Sequence, residues 1–321
     1  MVLFAHRFEK ALSGFPPQIQ AELHELVYRK KVVPSNRAAA WLDMMGVEIA
    51  SLLVQLLPVA AEFARTSSQQ SAHGAVALGN PPSSDQGPGN IYLGADLEIS
   101  GQATPVNVHS EQAAILHAWM HGESSIRTLA VQDSPCGVCR QFLHESSTRS
   151  QPMRILVQST QEEKRGAHTS HSLDDFLPAA APKKGAPAAG WMEASSTRID
   201  LGDVAGDSLV QHALTAASAS SAPQSGGYGG LALLRSDGKV FSGRRIEHVN
   251  LPNGLSPLAS ALASLNMQLP PMESFDIRRA AMVECPSSSS QRELVRFGLA
   301  VVAPGVSLEY HPTESSVEPG L

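Results

Sequence analysis

The chain has 321 residues and only three cysteines, Cys136, Cys139 and Cys285. An odd count that includes a tight C-x-x-C pair does not form a disulfide framework. It points to a reducing compartment and to a metal or redox pair. Charge is also scarce: 17% of residues are charged and the formal net charge is −6. Lys and Arg are scattered, and Lys183-Lys184 is too short to make a basic patch. The electrostatic footprint of a general nucleic-acid binder is missing, so small-molecule chemistry is expected and no nucleic-acid partner. Gly, Pro or polar residues interrupt every apolar run before it could span a bilayer. The first ten residues, Met1 to Lys10, lack the apolar stretch of a signal peptide. The expectation is a soluble cytoplasmic protein with no membrane partner.

With 42% hydrophobic residues, the chain can fill one large core or two ordinary ones. Residues 1–46 are expected to form an N-terminal helical segment, with Leu23, Leu26 and Val27 at helical spacing and Pro34 as a break. Val47, Ala50, Leu53, Val54 and Leu57 form a stronger apolar stripe that ends near Pro58 or runs on to Phe63. Strands are expected at His73–Leu78 and Ile91–Leu97, a helix at His109–His121 and a strand at Ile126–Val131. A second helix follows at Cys136–Glu145, then a strand at Met153–Gln158. That order implies an α/β layered domain over 47–160. Residues 161–205 resemble a linker, richest in Pro, Ala and Gly between Pro178 and Gly190. Within it, Trp191 is expected to be docked.

The chain then partly repeats itself over 206–312, before a short tail at 313–321. Gly74–Leu78 has a counterpart in Gly229–Leu233, and Ile91–Glu98 has one in Val240–Glu247. The turn between the second pair of strands is shorter, Ser236–Lys239, and Pro257–Asn266 falls where the His109 helix falls in the first copy. Ser256-Pro-Leu258 stands where a His-x-Glu would be needed, and Cys285 has no partner cysteine. The second copy is expected to be degenerate and non-catalytic, serving packing, site closure or a dimer contact.

The chemistry is concentrated in the first copy, at His109-Ser-Glu111 and Pro135-Cys136-Gly-Val-Cys139. Two cysteines three apart at a helix start can aim both sulfurs at one point, and the helix N-terminus favours thiolates. His109 would be a third ligand, giving a tetrahedral zinc site whose fourth position stays open. Glu111, two residues along, cannot point with His109 on a regular helix, but it can lie beside a metal-bound water as general base. Arg140 follows the second cysteine and could hydrogen-bond a thiolate, restoring some acidity to the zinc. A C-x-x-C pair alone would also suit a redox centre or half of a structural zinc site. Neither accounts for the His-x-Glu, and no second pair lies nearby to complete four ligands. His117 and His121 are expected to be core or surface histidines. His73, His144, His168 and His171 have no ligand-like partner in the sequence.

Together these residues match the H-x-E…P-C-x-x-C signature of zinc nucleobase deaminases. From about residue 47 to 303 the chain resembles the two-domain, homodimeric cytidine deaminases of bacteria and plants. The resemblance is strongest at Ala64–Thr66, Val108–Ile115 and Ser134–Phe142. It implies a duplicated three-layer α/β/α fold, a homodimer, and one Zn2+ per chain, held in the N-terminal copy by His109, Cys136 and Cys139. Zinc-bound hydroxide would attack the amino-bearing carbon of cytidine or deoxycytidine, with Glu111 as proton shuttle, in pyrimidine salvage. The backbone carbonyls of Ser110 and Ser134 would contact the substrate's amino group.

Two positions depart from the family. Its sugar-reading Asn-x-Glu motif is Asp96-Leu-Glu98 here. Glu98 can accept a hydroxyl proton, whereas ionised Asp96 accepts but cannot donate as an amide does. Such an acidic pair would also repel a phosphate, which favours nucleosides over nucleotides. The family's stacking aromatic, within a Ser-Asn-Phe-like run before a Val-Gly-Ala strand, is replaced at Ser71 in Gln69-Gln-Ser-Ala-His73-Gly-Ala. A lost stacking ring costs about 1–3 kcal/mol. The expected substrate is a small-molecule pyrimidine nucleoside. The alternatives are the same chemistry on a different or modified amino-pyrimidine, and a non-catalytic nucleoside-binding protein.

Overall fold

The first apolar stripes of the chain fold as helices: α1 (Val2–Leu12), α2 (Pro17–Leu26) and α3 (Ser35–Met45), with a two-residue strand β1 (Val32–Val33) before the last. The computed structural model describes residues 2–26, 31–66, 72–82, 87–99, 107–147, 152–159, 164–177, 190–193, 196–199, 201, 206–249, 254–271, 273–285, 287 and 289–313. The long stripe that follows is divided into α4 (Ile49–Gln55) and α5 (Leu57–Ala61). Pro58 sits in the first turn of α5, where its missing N–H leaves no helix bond unmade.

The elements of the first copy then run β2 (Gly74–Leu78), β3 (Ile91–Ala95), α6 (Ser110–Met120), β4 (Thr128–Val131), α7 (Gly137–Ser146), β5 (Arg154–Gln158), β6 (His168–Ser172) and α8 (Leu173–Phe176). The strands form one sheet in the order β1-β3-β2-β4-β5-β6. β2 and β3 are buried along their whole length. This is the pattern of strands covered on both faces.

Two glycines show what covers those faces. Gly74 pairs with Ala95 and Gly94 with Ala75, so Gly74 and Gly94 face opposite sides of the sheet. A Cβ on Gly74 would lie 2.4 Å from the Ala61 nitrogen, and one on Gly94 would lie 2.3 Å from the Ala114 nitrogen. Helix α5 therefore presses on one face and α6 on the other, giving three layers. Helix α6 is buried all round from Ser110 to Trp119, which accounts for the apolar run from Ala113 to Met120, broken only by His117.

The second copy consists of α9 (Ser208–Ser218), β7 (Gly229–Arg235), β8 (Val240–Arg244), α10 (Pro257–Asn266), β9 (Ile277–Glu284), α11 (Arg292–Val302) and β10 (Leu308–Pro312). Its sheet order, β10-β9-β7-β8, repeats β5-β4-β2-β3. The antiparallel and parallel pairings repeat as well. So do the glycine contacts: a Cβ on Gly230 would meet the Ala217 nitrogen at 2.2 Å, and one on Gly243 would meet the Ala261 nitrogen at 2.3 Å. Beyond the strands, the bridges Arg65–Leu97 and Leu97–Val108 recur as Ser221–Ile246 and Ile246–Leu255. Agreement at this level, down to which helix residue touches which glycine, is duplication and not chance likeness of two hairpins.

The chain divides into two compact units. One holds residues 1–100, 108–180 and 266–273, so α1 to α3 belong to it. The other holds 101–107, 181–265 and 274–321. Part of the stretch expected as linker is structured. β6 pairs antiparallel with β5 at the sheet edge, and α8 follows it. Its sequence, His-Thr-Ser-His-Ser, is largely exposed and carries no apolar alternation, so nothing in its pattern marks it as a strand. Trp191, in a single 3-10 turn at Trp191–Glu193, is buried as expected. Residues 178–189 of that stretch and the tail at 314–321 lie outside the described residues. Among the described residues, no single helix is long and apolar enough to cross a membrane.

Candidate metal centre

Two helix starts meet at one point of the first unit. His109 is the N-cap of α6 and Cys136 the N-cap of α7, while Cys139 lies in the first turn of α7. The His109 backbone N–H donates to Gln112 Oε1 at 3.1 Å, and the Ser110 N–H donates to Asp96 Oδ1 at 2.6 Å, so the start of α6 is tied down from two directions. His109 Nδ1 stands 3.6 Å from Cys136 Sγ and 3.5 Å from Cys139 Sγ.

These distances match what zinc requires. Bonds of about 2.05 Å to nitrogen and about 2.3 Å to sulfur at a tetrahedral angle put N and S about 3.6 Å apart. Among the described residues, these three form the His/Cys/Asp/Glu group able to hold a metal ion. Cys139 is buried, whereas His109 and Cys136 are exposed, so the site is open on one side. A redox C-x-x-C needs no imidazole at ligand distance from both sulfurs. A closed structural zinc site needs a fourth protein ligand.

The three side chains perturb one another's protonation strongly. Hydrogen bonds from Cys139 and His109 draw the Cys136 thiol down to about 3, so it is a thiolate. The hydrogen bond with Cys136 pushes His109 up to about 9. The Cys139 thiol is pushed up by its neighbour Cys136 and by burial. The centre thus holds protons where a dication would replace them, and metal uptake displaces those protons.

Glu111 lies beside this centre and contributes no ligand atom to it. It is buried, and desolvation raises its carboxyl pKa, with Asp96 and Cys136 adding to the rise. The Ser110 hydroxyl reaches Glu111 Oε2 at 3.4 Å. A buried carboxyl that holds its proton more readily than usual is suited to proton transfer near neutral pH.

Arg140 does not serve the sulfurs. Its Nε donates to the Pro135 carbonyl at 2.6 Å, another guanidinium nitrogen donates to the Phe176 carbonyl at 3.3 Å, and the group stacks over the Phe176 ring. The expectation of a thiolate hydrogen bond is therefore corrected. The carbonyls of Pro135 and Phe176 satisfy the guanidinium, and it braces the turn that carries Cys136. Ser110 is buried at the start of α6, and Ser134 is exposed just before Pro135. Asp96 and Glu98 flank Leu97, whose backbone bonds to Val108 fix both residues beside the start of α6. Ser71 lies outside the described residues.

His73 is one of the four histidines that have no ligand-like partner in the sequence. In the fold its backbone N–H and ring Nδ1 meet Asp96 Oδ2 at 3.0 and 3.1 Å, and its Nε2 stands 3.4 Å from Asp133 Oδ2. The partners are 23 and 60 residues away, so only the pairing of β2 with β3 and β4 brings them together. His117 is a core histidine, as expected, with Nδ1 2.8 Å from the Leu93 carbonyl oxygen.

The second unit places different chemistry at the matching positions. Counting from the paired strands, Ser256 and Leu258 fall where His109 and Glu111 stand, and Arg245 falls where Asp96 stands. The buried guanidinium of Arg245 donates to the Gly227 carbonyl at 2.6 Å and to the Ser289 carbonyl and hydroxyl at 3.0 Å. It lies 3.7 Å from the buried Glu247 carboxylate.

Comparison with known proteins finds the deaminase region in both halves of the chain. The cytidine and deoxycytidylate deaminase zinc-binding region matches residues 50–154 and again 173–295. A cytidine deaminase of Vibrio cholerae serotype O1 is 33% identical over 312 residues, covering 95% of this chain and 98% of that protein. One of Cronobacter sakazakii is 32% identical over 87% of this chain and 89% of that one. A crystal structure of cytidine deaminase from Burkholderia pseudomallei matches 40% of this chain and 97% of its own at 22% identity, with a TM-score of 0.32. With two copies of the deaminase region and relatives matched over nearly its whole length, the chain belongs to the cytidine deaminase family.

Proposed function

We propose that this chain hydrolytically deaminates cytidine and deoxycytidine to uridine and deoxyuridine with release of ammonia. The observation that carries the reading is the trio His109 Nδ1, Cys136 Sγ and Cys139 Sγ at zinc-ligand spacing, with a buried carboxyl, Glu111, beside it. Bound to these three residues, zinc supplies the Lewis acidity that makes water a nucleophile at neutral pH. Water adds to the amino-bearing ring carbon and the amino group departs as ammonia. Glu111 takes the proton from water and delivers protons to the ring nitrogen and to the departing amine. The carbonyls of Ser110 and Ser134 face the amino group, and Asp96 and Glu98 accept from the sugar hydroxyls. At position 71 the chain carries a serine, which supplies no ring to stack on the base. Arg140 acts at one remove by holding the Pro135 turn.

One zinc per chain, in the first copy alone, is supported by the second unit's Ser256, Leu258 and buried Arg245, which offer neither thiolate pair nor imidazole. The enzyme works as a homodimer in the cytoplasm, in pyrimidine salvage. The test is a panel of purified nucleosides, free bases and nucleotides read by ammonia release, with zinc-replete protein. Cytidine and deoxycytidine should be turned over and cytidine monophosphate rejected. A panel in which only a modified amino-pyrimidine releases ammonia would move the substrate and keep the chemistry. Binding of nucleosides without ammonia release would overturn the reading.

A further inference from the structure

A carboxylate offers about four lone-pair sites. At Asp96 this chain fills three of them: Oδ1 takes the Ser110 N–H at 2.6 Å, and Oδ2 takes the His73 N–H at 3.0 Å and the ring Nδ1 at 3.1 Å. The Asp96 side chain is 14% exposed, which leaves part of it accessible. His73 is anchored from its far side as well, with Nε2 near Asp133, although Asp133 is 76% exposed and that arm is weak. An amide at position 96 would turn an NH2 group toward one of these donors, and an apolar residue at position 73 would remove the ring. The acidic residue at 96 and the imidazole at 73 are therefore a matched pair.

We propose that His73 is a positioning residue that fixes the Asp96 carboxylate so that its remaining acceptor site reads a sugar hydroxyl of the nucleoside. The inference rests on the reading of the site given above. His73 does not touch the reacting atoms. It replaces the orientational constraint that a side chain able to both donate and accept would otherwise supply. Its effect belongs on substrate affinity and on discrimination between sugars, not on the chemical step.

The test compares His73→Val, Asp96→Asn and the double variant on cytidine and on 2′,3′-dideoxycytidine, after zinc content and Tm show that each variant is folded. His73→Val should raise KM for cytidine about tenfold, the equivalent of about 1.4 kcal/mol, with kcat within twofold of the parent. It should leave KM for the dideoxy analogue unchanged, because that substrate has no sugar hydroxyl at the positions being read. The double variant should lose no more than Asp96→Asn alone, since without the carboxylate there is nothing left for the ring to fix, while the Ser110 and residue-73 backbone N–H groups still face the amide. His73→Asn, which keeps a nitrogen at the Nδ1 position, should behave like the parent. His73→Gln should not, and this comparison decides the matter if His73→Val does not fold. Equal KM in parent and His73→Val, an equal loss on the dideoxy analogue, or simple addition of the two single losses would overturn the role of His73 and leave the deaminase reading intact. A parent that releases no ammonia from cytidine overturns both.

Discussion

Replacing Glu111 by Gln separates metal binding from proton transfer. Gln keeps the size and burial of the side chain but can neither accept the proton of water nor deliver one as an acid. General acid–base catalysis by one positioned group is worth about 10²–10⁴ in rate. In the proposed mechanism Glu111 serves successive transfers, so kcat should fall by at least about 10³, or about 4 kcal/mol of barrier. The metal should stay, because the group able to hold it is His109 Nδ1, Cys136 Sγ and Cys139 Sγ and the carboxylate is not part of that group. The fold should not suffer either. Burial raises the Glu111 pKa, so across the window above its ordinary value the folded chain binds more protons than the unfolded one. Its stability therefore falls as pH rises through that window. Gln removes this loss, and Tm at neutral pH should be equal to or above that of the parent. The assay is steady-state ammonia release with zinc measured by atomic absorption on the same sample. Full zinc with kcat within tenfold of the parent would refute the assignment of Glu111 as the shuttle.

Lys31 is fully buried, donates to the Leu269 carbonyl at 2.7 Å, and is pushed down to about 7 by desolvation, with Arg65 adding to the shift. Between about 7 and the ordinary lysine value the unfolded chain holds a proton that the folded chain lacks, so urea stability should rise with pH across that window. Below pH 7 the penalty is at its full size, at most about 5 kcal/mol. Lys31→Met should be more stable than the parent at pH 7 and should show a flat profile from pH 7 to 10; a parent profile that is already flat would refute the shift. Gly94→Ala and Gly243→Ala each put a Cβ about 2.3 Å from a helix backbone nitrogen that cannot retreat. Each should cost about 3 kcal/mol in urea denaturation, whereas Gly206→Ala, with open space around it, should cost less than about 0.5 kcal/mol.

Local spacing alone determined the chemistry. His109 and Glu111 sit at one helix start and Cys136 and Cys139 at another, and a C-x-x-C within a single turn can converge on one metal wherever the helix lies. The duplication was legible for the same reason, because paired strands and their helices keep their order and their small residues along the chain. Elements without periodicity escaped. β1 has two residues, and β6 is a polar edge strand, so pairing partners and not pattern define them. Tertiary structure also decided which atoms meet. It turned Nδ1 of His109 toward the two sulfurs, turned Arg140 to carbonyls instead of sulfurs, and set Arg245 at the second copy's counterpart of Asp96. The same holds for His73: a histidine at the start of an expected strand, with no ligand-like partner in the sequence, becomes the partner of Asp96, because sheet register joins residues that no local spacing relates. Motifs within one turn of helix can be read directly. Contacts across strands depend on register, and register is set only when the whole sheet and its two covering layers close together.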